Sequence, residues 1–266
     1  MVTTREGRGE GGKQVVGRLV CAFDDGRVVA NAGLVLASTL AGRLGIEQVI
    51  DDTVDLGERP GAARPGRKLL TLVCSALVGG DSIEDASVLR CGETERVLCQ
   101  RVMAPSTLGT FLRSFTFGHV RQLDRAFETI LGRAWAAGAG PGSEPLTIDL
   151  DSTICETYGL QKEGARHHGY TGVRGYHPLL AVAAGTGDVL MARLREGRAN
   201  TARGAAHFLT ETIGRVRHAG ASGQLTMRAD SGFYAHEVVA VCRAMGVRLF
   251  DHDPPASHSA VGTLEL

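Results

Sequence analysis

The chain has 266 residues, 43% of them hydrophobic and 22% charged, and its 29 basic residues balance 29 acidic ones. These values are typical of a globular protein of one large domain or two ordinary ones, and they argue against a wholly basic nucleic-acid binder while allowing a local basic patch. No apolar run is long enough to span a bilayer, and the six cysteines include no C-x-x-C pair, so a membrane protein, a disulfide scaffold and a zinc site are disfavoured.

The N-terminal residues 1–28 are predicted to be disordered or weakly structured. Their first part, MVTTREGRGEGGKQ, is charged and rich in glycine, and it lacks the apolar core of a signal peptide. We therefore expect a cytoplasmic protein.

Residues 29–140 are predicted to be helical. Four apolar residues after Pro105 recur at helical spacing, and they are Leu108, Phe111, Leu112 and Phe115. The apolar residues between 69 and 78 predict a nearly buried helix that ends at Gly79, and Ser82 with Asp85 resembles a capping box for the next helix.

The pattern changes after AAGAGPGSEP, residues 136–145, which we interpret as a boundary. Between 145 and 250 the periodicity predicts three strands, a helix, a strand, a helix and a last strand, with a hairpin turn at 185–188. That order predicts a mixed α/β sheet with flanking helices, following a helical N-terminal region.

Two of these predicted strands end in an acidic residue. The first reads LTIDLD and ends at Asp151, and a later one reads LTMRAD and ends at Asp230. If the strands are neighbours in one sheet, both carboxylates emerge at one edge, where they could bind Mg²⁺ or Mn²⁺. Either Asp alone is more simply a turn residue, but the pair together predicts a catalytic metal site for phosphodiester chemistry, with Asp149 as a nearby alternative ligand.

A basic segment lies between the two acids. Residues 161–203 contain seven Lys or Arg and three Asp or Glu, interleaved with glycine, histidine and tyrosine, Tyr170 among them. Such a segment can follow a nucleic-acid backbone, although an ordinary solvated loop remains an alternative. The candidate DNA-binding residues are Lys162, Arg166, Arg174, Arg195 and Arg198.

Several separated motifs resemble the DDE-type insertion-sequence transposases. The first is D-x-D-S-T at 149–153 and the second is R-A-D-S-G-F at 228–233, and the upstream GGDSIEDASVLR and APSTLGTFLRSF also resemble the helical region of that group. The resemblance covers roughly residues 20 to 250. It implies an incomplete RNase H-like core at 145–250, a DNA-binding role for 29–140, and double-stranded DNA at transposon ends as the partner, and it allows for a homodimer.

The resemblance also assigns roles to single residues. Asp151 matches the first catalytic, metal-binding Asp of that group and Asp230 the second. The third ligand of the group is a Glu on a later helix, beyond a further insertion, and Glu237 comes too early to match it. We therefore expect this chain to be C-terminally truncated and inactive alone.

Two other interpretations stay open. Residues 149–153 also fit the D-x-D-x-T motif of haloacid-dehalogenase-type phosphatases, with Asp149 as nucleophile and Asp151 as general acid. Alternatively, the chain is a non-catalytic DNA-binding or inhibitory transposase fragment. The segment 251–266 contains two adjacent prolines and no apolar pattern, so we expect an irregular tail, and we hypothesise a shift of reading frame near Leu249.

Overall fold

The computed structural model describes residues 13–16, 19–22, 29, 31–159, 161–169 and 171–251. The chain divides into two compact units between Ala126 and Phe127. The remaining residues include Tyr170 and all of the predicted tail 251–266 except Asp251, and they lie outside the described residues; Asp251 belongs to a strand.

The described residues of the first unit form a pair of antiparallel strands, here called the hairpin, and a set of helices. The antiparallel strands of the hairpin are β1 (Lys13–Val16) and β2 (Leu19–Ala22). The helices are α1 (Leu34–Leu44), α2 (Ile46–Thr53), α3 (Pro65–Leu77), α4 (Thr94–Val97), α5 (Pro105–Arg113) and α6 (Phe117–Ala134), of which α6 ends in the second unit.

Two predictions for this unit need correction. Helix α3 is not nearly buried, because Val73 is 50% and Leu77 59% exposed on one of its faces. Ser82 does bind Asp85, since its hydroxyl donates to Asp85 Oδ2 at 2.7 Å and its backbone N–H donates to the same oxygen at 2.9 Å, and these two bonds lower the pKa of Asp85. The helix that follows, Glu84–Arg90, is a 3₁₀ helix.

The second unit is built on a five-stranded mixed sheet. Its strands are β3 (Leu146–Ser152), β7 (Leu179–Ala183), β8 (Val189–Arg193), β9 (Leu225–Ala229) and β10 (Arg248–Asp251), in the order β10-β9-β3-β7-β8. Helix α7 (Ala205–His218) connects β8 to β9, and α8 (His236–Ala244) connects β9 to β10. Strands β3, β9 and β10 are parallel, whereas β7 and β8 form the hairpin. The predicted α/β class and element order are confirmed, and the sheet is consistent with an RNase H-like fold.

The first part of the basic segment, together with the residues just before it, contains a second, small sheet. Its antiparallel strands are β4 (Cys155–Glu156), β5 (Arg166–His167) and β6 (Arg174–Tyr176), in the order β4-β6-β5. Glycine makes this packing possible, since a Cβ on Gly175 would clash with the carbonyl oxygen of Cys155, and one on Gly197 with those of Gly175 and Arg166. The basic segment is therefore partly ordered by backbone packing that periodicity does not reveal.

One face of the five-stranded sheet carries the core of the unit. The alternate residues Leu146, Ile148 and Leu150 of β3 are buried in one cluster with residues of α7 and α8, such as Phe208 and Val238. Since successive side chains of a strand point to opposite faces, Asp149 and Asp151 lie on the other face. Among the described residues, no helix is long and apolar enough to cross a membrane.

Candidate metal site and nucleic-acid surface

Asp151 is the next-to-last residue of β3, and Asp230 directly follows β9, the parallel strand beside it. Leu150 of β3 pairs with Ala229 of β9, so the next residue on each strand is one of the two acids. Both strands run in the same direction, which brings both carboxylates to the same edge of the sheet. The strand alternation also sets both on the face away from α7 and α8.

Both acids are exposed, and local backbone geometry presents them to solvent. The backbone N–H of Ser152 donates to Asp151 Oδ1 at 2.6 Å. Asp230 has an extended backbone, and a Cβ on Gly232 would approach Asp230 Oδ1 to 3.1 Å, so a glycine at 232 leaves room beside this carboxylate. A charged ligand can therefore reach both groups from solvent.

Asp149, the alternative ligand, is engaged in an ion pair. Arg228 Nε donates to Asp149 Oδ1 and Arg228 Nη2 to Asp149 Oδ2, both at 2.6 Å. The hydrogen bonds that Arg228 donates to Asp149 raise the pKa of Arg228. A carboxylate whose two oxygens are both bound to a guanidinium is a poor metal ligand and a poor nucleophile, which disfavours the phosphatase interpretation.

The pair of carboxylates fits a hard divalent cation that keeps most of its water. Mg²⁺ is commonly held by one or two carboxylates with several waters, and two exposed Asp side chains at one edge supply that donor set. The described residues contain no group of three or more His, Cys, Asp or Glu side chains arranged to hold a metal. Glu237, in the first turn of α8, is exposed and belongs to no such group.

The predicted DNA-binding residues lie on or beside the small sheet, which begins three residues after Ser152. Arg166 forms an ion pair with Glu196 at 3.2 Å, and Arg174 donates to the carbonyl oxygen of Gly159. Lys162, in the turn before β5, and Arg198, after β8, are exposed. The fold thus gathers these four cations around one small structural element next to the end of β3.

Arg195 is engaged differently from the other four. Its Nε donates to the carbonyl oxygen of His177 at 2.8 Å, and its Nη1 lies 2.8–3.0 Å from three further carbonyl oxygens, those of Asn200, Thr201 and Arg203. Burial, together with the charge of Arg203, lowers the pKa of Arg195. The guanidinium therefore holds the loop before α7. Its Nε and Nη1 donors are engaged with backbone carbonyl oxygens, so a DNA phosphate cannot accept from them without displacing this loop.

His177 was not among the predicted site residues, although it lies next to the site. Its side chain is buried, with Nε2 at 3.1 Å from Ser152 Oγ and Nδ1 at 2.7 Å from the carbonyl oxygen of Ala199. The ring also packs edge-to-face on His168, with centroids 4.9 Å apart. Its position directly before a buried strand was the only available signal, and that signal did not separate it from the other histidines of the basic segment.

Comparison with known proteins identifies the family of the chain. No curated protein matches the sequence significantly. A family model described as transposase DDE domain group 1 matches residues 13–250, which include both acids, the small sheet and most of the helical unit. The match covers far more than half of the chain, and the chain therefore belongs to the DDE transposase family.

Proposed function

We propose that this transposase acts on the DNA ends of an insertion sequence, by phosphodiester hydrolysis and strand transfer assisted by Mg²⁺ or Mn²⁺. The observation that carries the proposal is the register of β3 and β9, in which Leu150 pairs with Ala229 and an exposed Asp comes next on each chain segment at the same edge of the sheet. This arrangement suits a metal-dependent reaction on a phosphate backbone, which is too large to enter a closed pocket.

In this proposal Asp151 and Asp230 hold the cation by their carboxylate oxygens. When bound, the cation would supply positive charge to the reacting phosphate and acidify a bound water or hydroxyl. Asp149 and Arg228 lie two residues before Asp151 and Asp230 on the same face of the sheet. Because Arg228 occupies the carboxylate of Asp149, the cation binds at Asp151 and Asp230 and not at Asp149. Lys162, Arg166, Arg174 and Arg198 contact the DNA backbone, and a homodimer on two element ends remains part of the proposal.

A second candidate function is a non-catalytic DNA-binding or inhibitory role. It is favoured by one observation, that no cluster of three potential ligands occurs within the described residues. A site of two carboxylates holds a cation weakly, because each lost ligand must be replaced by water. We therefore propose that the chain alone binds DNA and cleaves it poorly.

The experiment measures Mn²⁺ binding by electron paramagnetic resonance for the full chain and for Asp151→Asn and Asp230→Asn. Each substitution should weaken binding by about tenfold or more, since each removes a direct ligand. The matched control is Asp188→Asn, because Asp188 lies in the β7–β8 turn at the opposite edge of the same sheet. Equal Mn²⁺ affinity in all four proteins would refute the site.

The same four proteins then decide between the two functions. They are incubated with Mg²⁺ and a labelled duplex carrying the DNA that flanks the gene. If the full chain cleaves the duplex and Asp151→Asn does not, the chain is an active enzyme. If the full chain binds the duplex without cleaving it, the non-catalytic role is supported. A fifth protein, Asp149→Asn, tests the phosphatase: hydrolysis of p-nitrophenyl phosphate by the full chain that this variant loses would overturn both functions.

A further inference from the structure

We propose that His177 and Arg195 are positioning residues that together fix the strand end carrying Asp151 relative to the loop beside Asp230. The inference rests on the proposed metal site and adds a pair of residues that touch neither cation nor DNA. It is carried by a series of hydrogen bonds that runs from Asp151 to Thr201, and by the close approach of Thr201 to Gly232, the second residue after Asp230.

The first part of the series links His177 to Asp151. The carbonyl oxygen of Ala199 can only accept, so Nδ1 of His177 carries the proton that bonds it at 2.7 Å. In the neutral ring, Nε2 is then an acceptor for the hydroxyl of Ser152 at 3.1 Å. Ser152 in turn donates its backbone N–H to Asp151 Oδ1 at 2.6 Å, so the rotation of its peptide unit sets the direction of that carboxylate.

The second part links His177 to the neighbourhood of Asp230. Arg195 donates from Nε to the carbonyl oxygen of His177 at 2.8 Å and from Nη1 to that of Thr201 at 3.0 Å. Thr201 lies against Gly232, where a Cβ would meet its Cγ2 at 3.1 Å. Gly232 is the second residue after Asp230, and the same Cβ would meet Asp230 Oδ1 at 3.1 Å.

The two parts meet at residues 199–201. His177 holds this loop at Ala199, and Arg195 holds it at Asn200 and Thr201. An arginine suits this place because its guanidinium stays protonated and presents several donors in a fixed plane, whereas a lysine has a single nitrogen. Residues that orient metal ligands through hydrogen bonds commonly change metal affinity by about 10–100-fold when they are removed, because the ligands are then no longer fixed in the binding geometry.

The test uses Mn²⁺ binding by the full chain, since affinity reports ligand geometry even where turnover is low. Ser152→Ala breaks the bond to His177 and should weaken Mn²⁺ binding by about tenfold, whereas Ser152→Thr keeps the hydroxyl and should restore it. Arg195→Lys should also weaken binding by about tenfold. Thermal unfolding of each variant verifies that it is folded.

The matched controls lie at the opposite edge of the sheet, before β9. Arg217 also donates from Nη1 to two loop carbonyl oxygens, those of Ala221 and Gly223, at 2.8 and 2.7 Å. Arg217→Lys should therefore lower stability by a similar amount without changing Mn²⁺ affinity. His218 is exposed, so His218→Ala should change neither stability nor Mn²⁺ affinity by much.

The outcomes separate this inference from the proposed function. If Asp151→Asn and Asp230→Asn lower Mn²⁺ affinity while Ser152→Ala and Arg195→Lys bind like the wild type, the positioning role is refuted and the metal site stands. If the two Asp variants have no effect, the metal site itself fails and the positioning role fails with it. A loss with Arg217→Lys as large as that with Arg195→Lys would show a general loss of stability and overturn the inference.

Discussion

Arg228 and Asp149 are register partners on adjacent parallel strands, and their side chains form a bidentate ion pair with both nitrogen–oxygen distances at 2.6 Å. Asp149 and Arg228 lie on the same face of the sheet as the two exposed acids and two residues before them in the sequence. The ion pair therefore ties β3 to β9 by side chains as well as by backbone, directly beneath the candidate site.

This ion pair should contribute modestly to stability. The side chain of Arg228 is 41% and that of Asp149 33% exposed, so solvent screens the attraction. We expect a coupling energy of about 1 kcal/mol in a double-mutant cycle with Asp149→Asn and Arg228→Gln, measured by urea unfolding. Asp149→Asn should leave Mn²⁺ binding within about threefold of the wild type, since Asp149 is not a ligand in our proposal. A loss of Mn²⁺ binding as large as that in Asp151→Asn would instead make Asp149 a ligand.

The small sheet should depend on the absence of a side chain at Gly175. In Gly175→Ala the new Cβ would clash with the backbone of Cys155, which β4 cannot avoid without leaving β6. We expect destabilisation of about 1–3 kcal/mol and weaker DNA binding, because Arg166 and Arg174 lose their support. Gly169→Ala is the control, since a Cβ there meets no atom within 4 Å. Equal stability of the two variants in chemical unfolding would show that the small sheet tolerates rearrangement.

Two neighbouring arginines should differ in their effect on DNA binding. Arg198 is exposed, so Arg198→Ala should weaken duplex binding and reduce the slope of log affinity against log salt by about one, as expected for one lost phosphate contact. Arg195 donates to backbone carbonyl oxygens, so Arg195→Ala should mainly lower the free energy of unfolding, by about 2–3 kcal/mol, as those acceptors lose their donor. Fluorescence anisotropy at several salt concentrations, together with urea unfolding, distinguishes the two roles. If Arg195→Ala changed the salt slope without a loss of stability, Arg195 would be a direct DNA contact.

Stability should fall at high pH because of Cys242. Burial raises the pKa of this thiol to about 11, from the 9.0 of an ordinary thiol. Between these values the unfolded chain has lost the proton while the folded chain keeps it, so the unfolded state binds fewer protons and stability decreases as the pH rises. The decrease from pH 9 to 11 should be about 2–3 kcal/mol at most. Cys242→Ala should be less stable at neutral pH but show a shallower decrease, and an unchanged slope in urea unfolding would contradict the assignment.

The sequence by itself determined the mixed sheet and the positions of its two acids. Alternating residues such as Leu146, Ile148 and Leu150 can bury one face of a strand only if their neighbours point outward, so periodicity predicts β3 and, with it, the exposure of Asp151. The motifs around Asp151 and Asp230 were sufficient to suggest the family to which the chain belongs.

Only the tertiary structure decided which polar side chains share a contact. The pairing of Asp149 with Arg228 joins residues 79 positions apart, and it depends on the register of two strands, which no local pattern encodes. The bonds of His177 to Ser152 and Ala199 span 25 and 22 positions, and Arg195 differs from Arg198 only in the carbonyl oxygens that the fold places around it. Local periodicity indicates which face of an element is buried, because residues on one face recur every second position in a strand and every third or fourth position in a helix. Hydrogen-bond partners such as these are brought together by chain closure over tens of residues.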